Sequence, residues 1–410
     1  MSEQRPSATY RTGSAGLTRD LNRVAVLRLI GAAGPIARTH IAKQLGLSPA
    51  TVTSLTRELL DRGIVRVADH APSRGGRPAV LLELVGSAAT ALGVKVAPDH
   101  LVGVRVDLDA QVLDRFELRF DATAADSVDR LGDALADWIG RAGPQPPLLG
   151  IGLGLPGVVD ARQGRVSAPT LGWHELALGD LLQERLGVPV LVDNDVNTLA
   201  VSERLYGRGR DVEHFITVTI GRGVGLGIVA GGDIYRGFRG GAGEFGHTTG
   251  ADDGPLCSCG KRGCLEALVA DPALVARARR ARLLTPSQGI EKLLALADGG
   301  SAKAQAIFAE AGSTLGRAVG DLANVLGPEL VLVSGEGTQA WSHIAPEFDR
   351  TFRAALFSPL RAVSLEVDPW DDVKWAVGAA TLVLRVNLTA PLDGSATPAR
   401  PGSMPVEVVA

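Results

Sequence analysis

Gly243-Glu244-Phe245-Gly246-His247, followed by Cys257-Ser258-Cys259-Gly260-Lys261-Arg262-Gly263-Cys264-Leu265-Glu266, is the most informative stretch of this 410-residue chain. All 3 cysteines of the sequence fall between positions 257 and 264, and His247 precedes them in the pattern H-x9-C-x-C-x4-C. Three thiolates and one imidazole match the tetrahedral donor set of zinc, and four protein ligands leave no open position for hydrolytic chemistry. The spacing therefore predicts a structural Zn2+ held by His247, Cys257, Cys259 and Cys264. Gly250, Asp252, Asp253, Gly254, Gly260 and Gly263 supply the turns that a loop wrapped on an ion requires. The alternative is three unrelated reduced thiols and a histidine. Neither reading makes a disulfide framework, so a cytoplasmic location is expected.

Outward from this stretch, composition narrows the class. Hydrophobic residues make up 45% of the chain and charged residues 21%, which excludes a disordered protein. The length predicts two or three domains with ample core. No uninterrupted apolar run reaches the ~18 residues of a transmembrane helix. The N-terminus is polar and lacks the apolar core of a signal peptide. The formal net charge of −3 conceals an asymmetry. Of the 42 basic and 45 acidic residues, 12 and 6 lie before residue 87, leaving 30 and 39 after it. A basic head on an acidic body points to a polyanion at the head.

Periodicity divides the chain into a polar tail (1–17), a head (18–86), a body (88–388) and a Pro- and Gly-rich tail (389–410), with both tails expected to be disordered. In the head, apolar spacing predicts a helix from Leu21 to about Gly31, a shorter one after Pro35 that Gly46 stops, and a third over Pro49 to Asp61. Ser48 is placed to cap the third, with Pro49 at its first position. That helix is expected to bury Val52, Leu55, Leu59 and Leu60. Two short strands, Ile64–Val67 and Ala79–Leu84, flank a polar tip carrying Arg74 and Arg77. This order is that of a winged helix-turn-helix. Ser48, Ala50, Thr51, Thr53, Ser54 and Arg57 form a small, hydrogen-bonding outer face suited to the major groove, and Arg74 and Arg77 suit a minor groove. Double-stranded DNA is the expected partner; a protein-binding three-helix domain is the alternative. The body alternates strands and helices and reads as α/β.

The motifs now on the page identify a resemblance. The zinc stretch is similar to that of the ROK family, which joins repressors, open reading frames and sugar kinases. Gly150-Ile151-Gly152-Leu153-Gly154-Leu155-Pro156-Gly157, Leu171-Gly172-Trp173, Asp193-Asn194-Asp195-Val196-Asn197, and Asn324-Val325-Leu326-Gly327-Pro328-Glu329 before Val331-Leu332-Val333-Ser334-Gly335 resemble its other segments in order. The resemblance covers about residues 88–388, and the added head resembles the repressor branch. It implies two actin-like lobes (88–198 with 373–388, and 199–372) around a sugar cleft. It implies that Asn194, Asp195, Glu244, His247 and Glu266 bind sugar hydroxyls, with one ring nitrogen of His247 on zinc, and that the protein is a homodimer or a dimer of dimers.

The family's kinases use the residue at Asp195 as general base and hold ATP phosphates on an Asp-x-Gly-Gly-Thr segment. Here the matching segment is Lys95-Val96-Ala97-Pro98-Asp99. Pro98 lacks a backbone donor, and the Cβ atoms of Ala97 and Pro98 hinder close approach to phosphate. The glycine run Gly221-Arg222-Gly223-Val224-Gly225-Leu226-Gly227 carries Arg222 where kinases have a small residue. The expected function is a sugar-responsive regulator of carbohydrate-metabolism genes, most simply a repressor, without catalysis. The rival readings are a sugar kinase with an accessory DNA-binding head and a constitutive DNA-binding protein with a vestigial cleft.

Overall fold

The computed structural model describes residues 22–387 apart from 24, 28, 32, 71–78 and 142–145. The two tails and the hairpin tip with Arg74 and Arg77 lie outside the described residues. In the head, the described residues of 22–33 are helical (α1), followed by β1 (Ile36–Ala37), α2 (Arg38–Leu45), α3 (Pro49–Asp61), β2 (Val65–His70) and β3 (Val80–Leu84). Gly46 closes α2 in a left-handed conformation, φ 62°. Ser48 starts α3, its Oγ accepting the Thr51 N–H at 3.1 Å. The strands pair in the order β1-β3-β2. The sequence predicts only two of them, because β1 is two residues long and has no period to read.

The head core gathers Val26, Leu27, Ile30, Ile41, Val52, Leu55, Leu59 and Leu82. Leu60, predicted inward, sits half-buried at the edge, and Thr56 takes the inner stripe instead. Its hydroxyl is satisfied there, donating to the Val52 carbonyl at 2.8 Å and accepting from Arg38 Nε at 2.7 Å.

β3 runs into the body through a single 3-10 turn, Gly86–Ala88, and then β4 (Thr90–Val96). Leu108 N–H donates to the Gly86 carbonyl at 3.0 Å and Val85 N–H to Ile64 at 2.8 Å. One apolar cluster continues from Ile41 and Leu82 through Ala89 to Val104 and Ala380. The head is thus packed onto the body.

The first lobe adds β5 (His100–Asp107), β6 (Val112–Arg119), α4 (Ser127–Arg141), β7 (Leu148–Leu155), the small strands β8 (Val158–Asp160), β9 (Arg165–Ala168) and β10 (Trp173–Leu176), then α5 (Leu178–Leu186) and β11 (Val190–Asn194). α6 (Asp195–Tyr206) leads to the second lobe: β12 (Phe215–Ile220), β13 (Val224–Ala230), β14 (Asp233–Ile234), α7 (Glu266–Val269), α8 (Asp271–Arg280), α9 (Ile290–Asp298), α10 (Ala302–Leu326), β15 (Leu330–Ser334), α11 (Trp341–Ala355) and β16 (Ser364–Val367). α12 (Asp372–Asn387) returns to the first lobe. Each lobe has a five-stranded sheet, ordered β11-β7-β4-β5-β6 and β14-β13-β12-β15-β16. In both, an antiparallel three-strand meander is extended by two parallel strands beside its first strand. This repeat is the actin-like duplication. α6 runs unbroken across the 198/199 division, so the lobes share it.

α12 lies almost in contact with the first sheet. A Cβ on Gly152 would stand 1.8 Å from the Ala379 carbonyl oxygen, and one on Gly93 2.0 Å from that of Ala376. Only glycine permits this approach, and Ala376, Ala379 and Ala380 complete it, fully buried. Among the described residues, no helix is long and apolar enough to cross a membrane.

Gly152→Ala is expected to cost about 2 kcal/mol or more by overpacking. A lowered urea midpoint would show it, and an unchanged midpoint would contradict the close approach.

Candidate functional site

The stretch between β14 and α7 folds back on itself. Short bridges join Thr249 to Cys264 and Leu256 to Arg262. This brings His247, Cys257, Cys259 and Cys264 together, their ligand atoms all within 4.8 Å of one another. Cys257 Sγ lies 3.6 Å from His247 Nδ1, and Cys259 Sγ lies 3.6 Å from Cys264 Sγ. Zn–S bonds of ~2.3 Å at tetrahedral angles give S···S edges of about 3.8 Å, so the spacing fits a four-coordinate ion. Lys261 Nζ donates to the His247 carbonyl at 2.6 Å, tying the two arms of the loop. The four residues predicted from spacing form a group able to hold a metal.

With Nδ1 turned to the thiols, His247 Nε2 faces the other way, 3.9 Å from Glu244 Oε2. Glu266 opens α7, half-buried, and joins two loops. Its Oε1 lies 4.0 Å from Cys257 Sγ and 3.4 Å from Ser258 Oγ, while its Oε2 accepts the Val224 N–H at 3.2 Å. A Cβ on Gly223 would lie 2.8 Å from that oxygen. Gly223 therefore makes room for Glu266.

Asn194 and Asp195 lie where β11 meets α6. Asn194 is the N-cap of α6: its Oδ1 accepts from Val196 N–H at 2.9 Å and Asn197 N–H at 3.2 Å, and its Nδ2 donates to the Gly157 carbonyl at 3.1 Å. Capping and this bond leave one amide hydrogen for a ligand. Asp195 is half-buried. Burial pushes its carboxyl up to about 6, against the opposing pull of the Lys95 charge and the Val196 N–H, and the nearby charge of Glu244 adds to the rise. Asp195 thus feels the charge of Glu244, which neighbours His247, and His247 and Glu266 both approach Cys257.

Lys95 is the one charged residue in β4, whose seven residues are all buried. It forms an ion pair with Asp372 and lies 4.9 Å from the Trp375 ring centroid and 5.8 Å from that of Trp370. A second buried pair escaped the sequence reading. Arg236 donates through Nε and Nη2 to Asp193 Oδ2 at 2.8 and 2.6 Å, from the second lobe to the strand residue before Asn194. Asp193 is 1% exposed. Its place in an apolar run was a visible signal of a buried partner, but nothing in the sequence named Arg236.

On the head, Ser48, Ala50, Thr53, Ser54 and Arg57 are exposed and Thr51 is half-buried. Ala50, Thr53, Ser54 and Arg57 border a shallow groove along α3. Ser48 and Thr51 are partly spent on capping, 2.7 Å apart, and Thr53 donates to the Pro49 carbonyl at 2.7 Å. Glu58 and Asp61 also line the groove, and Glu58 is paired with Arg23 at 2.9 Å and Arg62 at 3.5 Å.

Residues 91–386 match the ROK family and residues 20–72 the MarR family. The chain is 30% identical over 393 residues to the DNA-binding transcriptional dual regulator NagC of Escherichia coli K12, covering 93% of this chain and 97% of that one. It is 31% identical over 318 residues to the xylose repressor of Bacillus subtilis 168, covering 77% and 82%. A crystal structure of a ROK family transcriptional regulator, a homolog of the E. coli MLC protein, superimposes with a TM-score of 0.81 at 28% identity, covering 91% of this chain and 98% of that one. The ROK family glucokinase of Streptomyces griseus, in complex with glucose and AMPPNP, gives a TM-score of 0.63 at 29% identity over 72% of this chain and 98% of that one. The chain therefore belongs to the ROK family, in the branch that joins the two-lobed body to a MarR-type DNA-binding head.

Proposed function

We propose that this protein is a transcriptional repressor of carbohydrate-metabolism genes whose affinity for operator DNA is set by a sugar bound between the lobes. The observation that carries this reading is the junction at Gly86–Ala88: the winged head is packed on the strand whose far end enters the cleft, so lobe angle and head orientation are mechanically joined. Asp195, Glu244, His247 and Glu266, with the remaining Asn194 amide hydrogen, offer mixed donors and acceptors suited to a polyol. Zn2+ on His247, Cys257, Cys259 and Cys264 would fix the wall that carries His247 and, through Cys257 and Ser258, support Glu266. Ala50, Ser54 and Arg57 would meet base edges and phosphates, with Ser48, Thr51 and Thr53 at the helix N-terminus. Arg74 and Arg77 would enter an adjacent minor groove. A homodimer presents two such heads to a two-fold operator.

The second reading, a hexose kinase, is favoured by Asp195, whose raised pKa suits a general base near neutrality. Against it stand Lys95 in place of an acid, Ala97-Pro98 in place of the phosphate-cradling glycines, and the side chain of Arg222 in the second loop. Phosphoryl transfer depends on positioning and charge neutralisation, so loss of the cradle removes its basis. Incubation with Mg-ATP and a hexose panel should give no sugar phosphate.

Titrating the protein into duplexes selected from a random pool, with and without glucose, xylose and N-acetylglucosamine, should show one sugar weakening binding roughly 5- to 150-fold, the usual range of site-to-site coupling. Arg57→Ala should weaken DNA binding and leave sugar affinity unchanged. If none of the sugars alters DNA affinity, the sensor reading is wrong.

Metal analysis should give about one Zn2+ per chain, and Cys257→Ser should lose it together with thermal stability. Sugar affinity should be highest above pH 7 and decline as pH falls through about 6, because Asp195 then passes from a carboxylate accepting hydroxyls to a neutral acid. Asp195→Asn, which cannot ionise, should abolish that step in a pH series of calorimetric titrations.

A further inference from the structure

The two loops set against the family's phosphate loops are joined to each other. Arg222 of the second lobe reaches Asp99 of the first in a bidentate pair, Nη1–Oδ1 3.0 Å and Nη2–Oδ2 3.2 Å. Arg222 Nε also lies 3.7 Å from Glu336 Oε2. On the first lobe, His100 Nδ1 lies 2.8 Å from Asp99 Oδ1 and its Nε2 lies 3.6 Å from Asp372 Oδ2, and Asp372 holds Lys95. A chain of polar contacts, Lys95–Asp372–His100–Asp99–Arg222–Glu336, thus crosses between the lobes. Arg222 holds the Asp99 carboxyl down at about 2, so that end of the chain stays charged at any physiological pH.

The same loop reaches the candidate sugar site. Two residues beyond Arg222, the Val224 N–H holds Glu266, and Gly223 gives that carboxylate its space. On the other side, Asp99 follows the end of β4, the strand that begins at the head junction. We infer that the Arg222–Asp99 pair is a cross-lobe latch, a positioning device that holds the lobe angle in place of bridging phosphates and aligns Glu266 for the sugar. This rests on the sugar-sensor reading. Arg222 and Asp99 are 50% and 63% exposed, so the latch is screened by salt and its effect is modest. Bidentate geometry within a network raises it above an ordinary surface pair.

The test uses the full-length, metal-loaded protein and the strongest binder among glucose, xylose and N-acetylglucosamine. Arg222→Ala and Asp99→Ala should each weaken that sugar roughly two- to fivefold, the range of a well-formed surface pair. Arg222→Lys, which keeps the charge but cannot bond both Asp99 oxygens, should recover part of the affinity lost in Arg222→Ala, which a merely structural role would not produce. Pulsed electron spin resonance between non-cysteine labels at Leu113 and Val325, exposed sites on the two lobes, should give a narrow distance distribution that broadens in Arg222→Ala. Single variants that match the wild type in both affinity and distance overturn the latch, and so does an Arg222→Lys variant as weak as Arg222→Ala. If none of the three sugars binds, the sensor reading falls, and the distance distribution alone decides the latch.

Discussion

Glu266 is the contact on which the second lobe's side of the cleft is built. One carboxylate oxygen takes the Val224 N–H and the other faces Ser258 and Cys257. A single side chain thus fastens the glycine run after β12 to the cysteine loop, two segments more than thirty residues apart. The arrangement explains why glycines persist in a loop that has gained an arginine. A side chain at residue 223 would collide with Glu266, whatever the loop once bound. Within the run, Gly223 is accounted for by that carboxylate, while Gly225 and Gly227 leave room for Val196 and Ala200 of α6.

β4 carries the complementary constraint in the first lobe. It starts where the head's last strand ends, pairs on both sides inside its sheet, and lies under α12 at Gly93. Strand and helix cannot slide independently with a helix backbone pressed on a glycine. Movement at the cleft end of β4 must therefore be transmitted along the strand as a body. The Gly86–Ala88 turn is held by Leu108 and Val85 hydrogen bonds and shares the head's apolar cluster. In the proposed reading, this is what turns occupancy of the cleft into a change in head orientation.

Much of this was legible in the sequence for identifiable reasons. α3 was bounded to the residue because Ser48, Pro49 and Gly63 punctuate it, and the metal group because cysteines are rare in the chain. α5, α6 and α11 were not read. α6 has a largely buried first half and so little amphipathic contrast, and α11 contains Pro346 inside the helix. The small sheet of β8, β9 and β10 is built from strands too short to alternate. At the cleft, residue identities marked Asp195, Glu244, His247 and Glu266 as polar ligands. The network beside them rests on the pairs Lys95–Asp372 and Asp99–Arg222, each separated by more than a hundred positions, which no local pattern contains. Asn194 shows the opposite limit: the amide that the resemblance assigns to a sugar is mostly taken up by capping α6 and by the Gly157 carbonyl.

Lys95 shows why the departure from the kinases is more than one substitution. A buried ammonium needs a counter-ion, and Asp372 supplies it from the first turn of α12, with Trp375 one turn further on covering the charge. Restoring an acidic residue at 95 would set two carboxylates against each other in a largely buried site and remove the ammonium that now pairs with Asp372. The acidic counter-ion is fixed in place because α12 is fixed on Gly152 and Gly93. The electrostatics of the cleft mouth are therefore bound to the packing of the lobe core. Lys95, Asp372 and Arg222 are thus bound to their partners, and a change at any one of them alone leaves a charge without its counterpart.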